Sequence, residues 1–139
     1  MQLEPNLVFN GNAQDALEHY RDALGGELEI VRFAGTPAAA EAPPEYGEKV
    51  LYGTLRSPLG TINAMDLPPA RGIVTAGDNF SIGIQSPDAA EIDAVFAKLS
   101  EGGTVMMPLG ETFFSPKFGM AVDKFGIRWM LNLQRGPSR

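Results

Sequence analysis

The chain has 139 residues, no cysteine, and 17 acidic against 11 basic side chains for a net charge of -6. That length suits one domain able to bury about two thirds of its unfolded surface, and the missing thiols exclude disulfides, thiolate metal sites and a cysteine nucleophile. With no Lys/Arg cluster there is no footprint for nucleic acid or an acidic membrane, and with neither a basic leader nor an apolar run of about 18 residues a soluble, cytoplasmic protein is expected.

Leu3 to Phe9 reads as a first strand, with Pro5 tolerable near its start. Asn12 is the predicted N-cap of a helix whose buried stripe is Ala13, Ala16, Leu17, Tyr20 and Leu24. Gly25-Gly26 ends that helix, and His19 falls off its stripe. Glu27 to Ala34 alternates as a strand. Gly35 to Glu48 has no period and many breakers, which predicts a long exposed loop of the kind that covers a site. Lys49 to Arg56 and Thr61 to Asp66 pair as a hairpin around Ser57-Pro58-Leu59-Gly60, and Leu67 to Asp78 is a second loop.

Asn79 to Gln85 then predicts a strand. Asp88 caps a second helix with Ala89, Ile92, Val95, Phe96 and Leu99 as its stripe, and Gly102-Gly103 closes it. Further strands fall at Thr104 to Met106, Lys117 to Val122 and Ile127 to Gln134. The last two form a hairpin around Asp123-Lys124-Phe125-Gly126, where Asp bonds the backbone ahead and Gly supplies a positive φ.

A shift of 76 positions lays Asn12 on Asp88, Ala16 on Ile92 and Tyr20 on Phe96. The expectation is an α+β fold of two βαβββ modules, about 1–67 and about 78–135, within a single domain 1–139. A four-stranded sheet with one helix across its back leaves its other face open. Two such mixed sheets can curl into a cup around a cavity, so strand residues facing that cup are the candidates for chemistry.

Gly102 to Leu109, Thr112 to Phe114 and Phe118 to Asn132 together resemble the closing half of PhnB-like proteins, a branch of the glyoxalase, bleomycin-resistance and extradiol-dioxygenase (vicinal oxygen chelate) superfamily. The opening, Leu7 to Ala13 and on through Tyr20 to Glu27, resembles the same branch. The resemblance implies the paired-module fold and a homodimer. In metal-dependent members the ligands are His and Glu of the inner strand faces. By that resemblance the four positions fall on Pro5, near Gly53, on Ser81 and on Met130, or after a slip of two residues on Leu7, Leu55, Asn79 and Asn132. None is a usual transition-metal ligand. Many relatives carry Trp where Phe114 stands and His-Ala where Tyr52-Gly53 stands, so the role of that histidine does not carry over. The branch has also been labelled after a phosphonate operon and a ubiquinone methyltransferase. No glycine-rich cofactor loop follows a strand here to support the latter.

His19, the single histidine, has no cysteine to join it in a metal site. A hard-cation site of Glu45, Glu48, Asp66 or Glu111 stays open, although acids at loops and strand ends also serve solubility. Ser81 and Ser115 have no recognisable base beside them. The candidate ligand pocket is therefore Tyr52, Ser81, Phe113, Phe114, Phe118, Trp129, Met130 and Asn132, with Asn132 as polar anchor, although aromatic walls equally describe a core. The expected function is metal-free, cofactor-free binding or sequestration of a small molecule. The rivals are a metal-dependent lyase, isomerase or dioxygenase, and a structural dimer whose aromatic loop serves a partner.

Overall fold

A computed structural model of the chain describes residues 1–134. The expected end of the second module at 135 lies outside them. Two compact units divide the chain, one of Met1–Thr75 and one from Ala76 onward.

The first unit runs β1 (Asn6–Phe9), α1 (Ala13–Leu24), β2 (Glu27–Arg32), β3 (Val50–Ser57) and β4 (Gly60–Asp66). The second repeats the order as β5 (Ile82–Ser86), α2 (Ala89–Ser100), β6 (Thr104–Gly110), β7 (Phe118–Val122) and β8 (Arg128–Leu133). Strand order is likewise repeated, β1-β4-β3-β2 and β5-β8-β7-β6. The pairs β1/β4 and β5/β8 are parallel and the others antiparallel, so both sheets are mixed. This is the expected α+β fold of two βαβββ modules. The two helices begin at Ala13 and Ala89 and end at Leu24 and Ser100, each end displaced by 76 positions.

Each helix buries its stripe against one face of its own sheet. Ala13, Ala16, Leu17 and Tyr20 of α1 are buried together with Leu7, Phe9, Leu55, Ile62 and Ala64. Ile92, Val95, Phe96 and Leu99 of α2 are buried with Ile84, Ala121, Trp129 and Leu131. Ala89, placed on that stripe by spacing, is exposed.

Several local expectations are corrected. Asn12 starts α1 but its side chain makes no capping bond. Asp66, at the end of β4, takes that role by accepting from Gly11 N and Ala13 N, both at 2.9 Å. A carboxylate brought from 53 residues away caps as well as a local amide, because the orphan N–H groups need only an acceptor in reach. The segment 35–48 is not structureless, since it holds short 3-10 helices at Pro37–Glu41 and Pro44–Glu48, each begun by a proline that pre-sets φ. Its Tyr46 is buried and donates to Leu67 O at 2.7 Å. Residues 3–5 and 79–81 lie outside β1 and β5, while β6 runs on to Gly110.

Candidate functional site

The hairpin of β7 and β8 positions most of the predicted site. Its turn is tied by Asp123, a buried carboxylate that accepts from Phe125 N at 2.8 Å, Ile127 N at 3.0 Å and Trp129 Nε1 at 2.8 Å. Gly126 closes the turn with φ +90°. The resulting register sets Phe118 opposite Asn132, Met120 opposite Met130 and Ala121 opposite Trp129. Side chains alternate across a strand, so this register sorts the candidates by face. Trp129 goes to the α2 side and is 1% exposed, a core residue whose one polar atom is bonded to Asp123. Phe118, Met130 and Asn132 go to the opposite face.

On that opposite face an aromatic ladder rises from Phe118. Phe114 lies edge-on to it at 5.0 Å between centroids, and Phe113 lies edge-on to Phe114 at 5.2 Å, the arrangement that aromatic quadrupoles favour. Phe113 at the tip is 96% exposed. The loop carrying both rings is pinned by Ser115, which is fully buried. Its Oγ donates to Lys117 O at 3.0 Å and its N–H donates to Thr112 Oγ1 at 3.0 Å. Ser115 is therefore a strut of the loop.

Beneath the ladder, Asn132 places its Oδ1 out of reach of solvent with no hydrogen-bond partner among the described residues. Buried polar atoms are nearly always paired, and an orphan asks for an explanation. Gln85 and Gly83 of β5 stand opposite Asn132 and Met130. A Cβ added to Gly83 would meet nothing within 4 Å. The face thus combines phenyl rings, the thioethers of Met120 and Met130, two carboxamides and an open patch over Gly83. Such a surface can bind, because it offers apolar area with few polar groups to orient a guest. Among the described residues it holds no nucleophile paired with a base.

The structure thus brings together five predicted residues, Phe113, Phe114, Phe118, Met130 and Asn132. Tyr52 belongs to the first unit, on β3 opposite Val31, and is 49% exposed. Ser81 is half-buried just ahead of β5. Gln85, Gly83 and Met120 were not singled out from the sequence. Alternation along 79–85 could place Gln85 on a face, but its pairing with Asn132 is a register fact that no local signal carries.

Of the positions aligned with metal ligands, Gly53 lies on the α1 side, where a Cβ would fall 2.6 Å from Leu17 Cδ1. Leu7 and Leu55 are buried on that side too, whereas Met130 and Asn132 are on the face away from the helix. Among the loop acids, Asp66 has both oxygens engaged, since Oδ2 accepts from Val50 N at 2.9 Å. It floors a cavity of about 120 Å³ that Glu48 and Lys49 also line. Burial pushes the Tyr46 phenol above its ordinary value, and the negative charge of Asp66 acts in the same direction. Among the described residues no three His, Asp or Glu side chains gather to hold a metal ion. His19 lies half-buried on α1, its ring 5.9 Å from that of Tyr20.

Comparison with known proteins places this geometry. Residues 1–132 match the family model for 3-demethylubiquinone-9 3-methyltransferase. Protein YjdN of Escherichia coli K12 is 30% identical over 142 residues, covering 96% of this chain and 95% of YjdN. The crystal structure of protein PA1353 from Pseudomonas aeruginosa is 35% identical, with TM-score 0.86 and coverage of 98% of this chain and 99% of that one. A putative 3-demethylubiquinone-9 3-methyltransferase, PhnB protein, from Bacillus cereus is 27% identical, with TM-score 0.76 and coverage of 96% and 100%. A glyoxalase/bleomycin resistance protein from Albidiferax ferrireducens T118 shares the fold at TM-score 0.61, 19% identity and coverage of 95% and 97%.

Proposed function

The chain belongs to the PhnB-like, 3-demethylubiquinone-9 3-methyltransferase family within the glyoxalase/bleomycin-resistance superfamily, and from that premise we propose that it binds or sequesters a small molecule without a metal. The observation that carries the reading is the buried, unpartnered Oδ1 of Asn132 beneath the Phe118–Phe114 ladder. An acceptor kept out of water at the foot of an aromatic wall suits a flat guest that presents an N–H or O–H donor. Such a guest recovers the desolvation cost of the amide and covers the rings at once.

A thermal-shift screen of small aromatic donors such as phenols and anilines tests this. A guest at about 100 times its dissociation constant adds roughly 2.7 kcal/mol of stability. Asn132→Leu and Phe114→Ala should each abolish that gain while leaving the apo protein folded. A gain that persists in both variants would place the guest elsewhere. Metal analysis of protein purified without chelator tests the rival lyase, isomerase or dioxygenase, because stoichiometric nickel, zinc, iron or manganese would replace the binder reading.

The same proposal includes a homodimer. Strand β6 is a sheet edge along which Val105, Met106 and Met107 are all exposed, and an apolar edge of that kind invites a second strand or a covering surface.

A further inference from the structure

The first unit carries a second hollow, of about 180 Å³, which the binding proposal does not use. Phe33, Leu51, Met65 and Pro68 line it with carbon and sulfur, and Glu41 and Arg71 stand in its lining as the two charged groups. Phe33 is 2% exposed and fixed in place by its N–H bond to Lys49 O at 3.1 Å, so the floor is built. Glu41 ends the 3-10 helix Pro37–Glu41 and Arg71 ends another, Pro69–Arg71. The two are joined by one contact, Nη2 to Oε1 at 3.0 Å, with their side chains 67% and 64% exposed.

Three physical facts bear on what would enter. An apolar cavity of about 150 Å³ is enough to take up benzene, so this hollow has room for one six-membered ring. An exposed ion pair is weak and easily exchanged. Arg71 gives one of its five N–H donors to Glu41, and a guanidinium fork is built to grip a planar carboxylate through two parallel bonds. A cation would have to displace Arg71 from Glu41 and would gain no such two-point match.

We propose that this hollow is a binding site for a compact aromatic carboxylate, its ring against Phe33, Leu51 and Met65 and its carboxylate held by Arg71 in place of Glu41. The hollow is lined by residues of the first unit and the Asn132 face belongs to the second, so a methionine of each reports on it in one experiment. Protein labelled with ¹³C at the methionine methyls has six signals from its six methionines, and Met65→Leu identifies one of them. Benzoate should shift the Met65 methyl and leave Met120 and Met130 in place. Arg71→Ala, which removes the charge-assisted grip on the carboxylate, should weaken benzoate at least about tenfold, while toluene still shifts Met65. Ala38→Leu, which fills the hollow from its lining, should remove both responses. A cooperative melt and an unchanged far-ultraviolet circular dichroism spectrum show that each variant is folded. The proposal is overturned if Met65 does not move by about 10 mM benzoate, roughly ten times a dissociation constant of 1 mM. It also fails if Arg71→Ala leaves benzoate unaffected, if benzylamine binds more tightly than benzoate, or if the response survives Ala38→Leu.

Discussion

Asp66 and Asp123 are buried carboxylates, 1% and 3% exposed, whose oxygens are taken up by N–H groups of the surrounding chain. Asp66 gathers the amides of Gly11, Ala13 and Val50 and so ties the start of α1 to β3 and β4. Asp123 gathers those of Phe125 and Ile127 and the indole of Trp129. Removing an acceptor strands each donor without water. Asp123→Ala should therefore cost about 2–4 kcal/mol by urea unfolding, with Asp123→Asn between it and the parent. A loss below about 0.5 kcal/mol, the range of an ordinary surface change, would deny Asp123 this role. Asn132 predicts the opposite sign. Replacing its orphaned amide by Leu should leave stability unchanged or raise it by about 1 kcal/mol while ligand binding is lost. Tyr46 adds a pH dependence. Its phenol titrates above the ordinary 10.0 in the folded chain, so above that pH the unfolded chain gives up a proton that the folded chain keeps. Stability complete below pH 10 is then lost as pH rises through the folded value. Tyr46→Phe forfeits the bond to Leu67 O, about 1 kcal/mol at neutral pH, but lacks the alkaline fall. Denaturation curves of the two proteins should converge above pH 10, and curves that stay parallel would remove Tyr46 from the account.

Among the elements, the two modules repeat a backbone contact more faithfully than they repeat residues. Where each helix gives way to the next strand, a glycine lies hard against the neighbouring strand. A Cβ on Gly26 would come within 2.2 Å of Arg56 O, and a Cβ on Gly103 within 2.2 Å of Val122 O. Both neighbours are backbone, so neither can swing aside. Gly26→Ala and Gly103→Ala should each destabilise by about 2 kcal/mol or more, seen as a lower melting temperature. A drop below about 2 °C in either would mean that the strand ends give way easily. The paired glycines were visible in the sequence as helix stops. Their closeness to the next strand was not, because it depends on pairing between residues 30 and 19 positions apart.

For the whole molecule, no helix among the described residues is long and apolar enough to cross a membrane, and a net charge of -6 keeps like chains apart. Apolar contact along β6 has to exceed that repulsion for the proposed dimer to form. Light scattering should give twice the chain mass, and added salt should tighten the association by screening the charge. Met106→Lys, which introduces a charge at a side chain already 54% exposed, should return the protein to monomer without lowering its helix and strand content. A monomer at high protein concentration, or a dimer indifferent to that lysine, would rule out this edge as the interface.

What the sequence determined by itself is what depends on neighbours along the chain: two amphipathic helices from their spacing, a hairpin from Asp123 and Gly126, and a duplicated α+β module from the repeat of caps and stripes. Five of the eight candidate site residues were reachable on one face because alternation along β8 and the aromatic run before β7 are local patterns. Tertiary structure alone decided that Asp66 caps α1, that 3-10 helices order residues 37–48, that Trp129 turns to the core while Asn132 turns away, and that Gln85 stands beside it. Each of these rests on strand register or on a bond between residues far apart in sequence. Register is set by which faces bury together, a sum over the whole sheet that no short window contains.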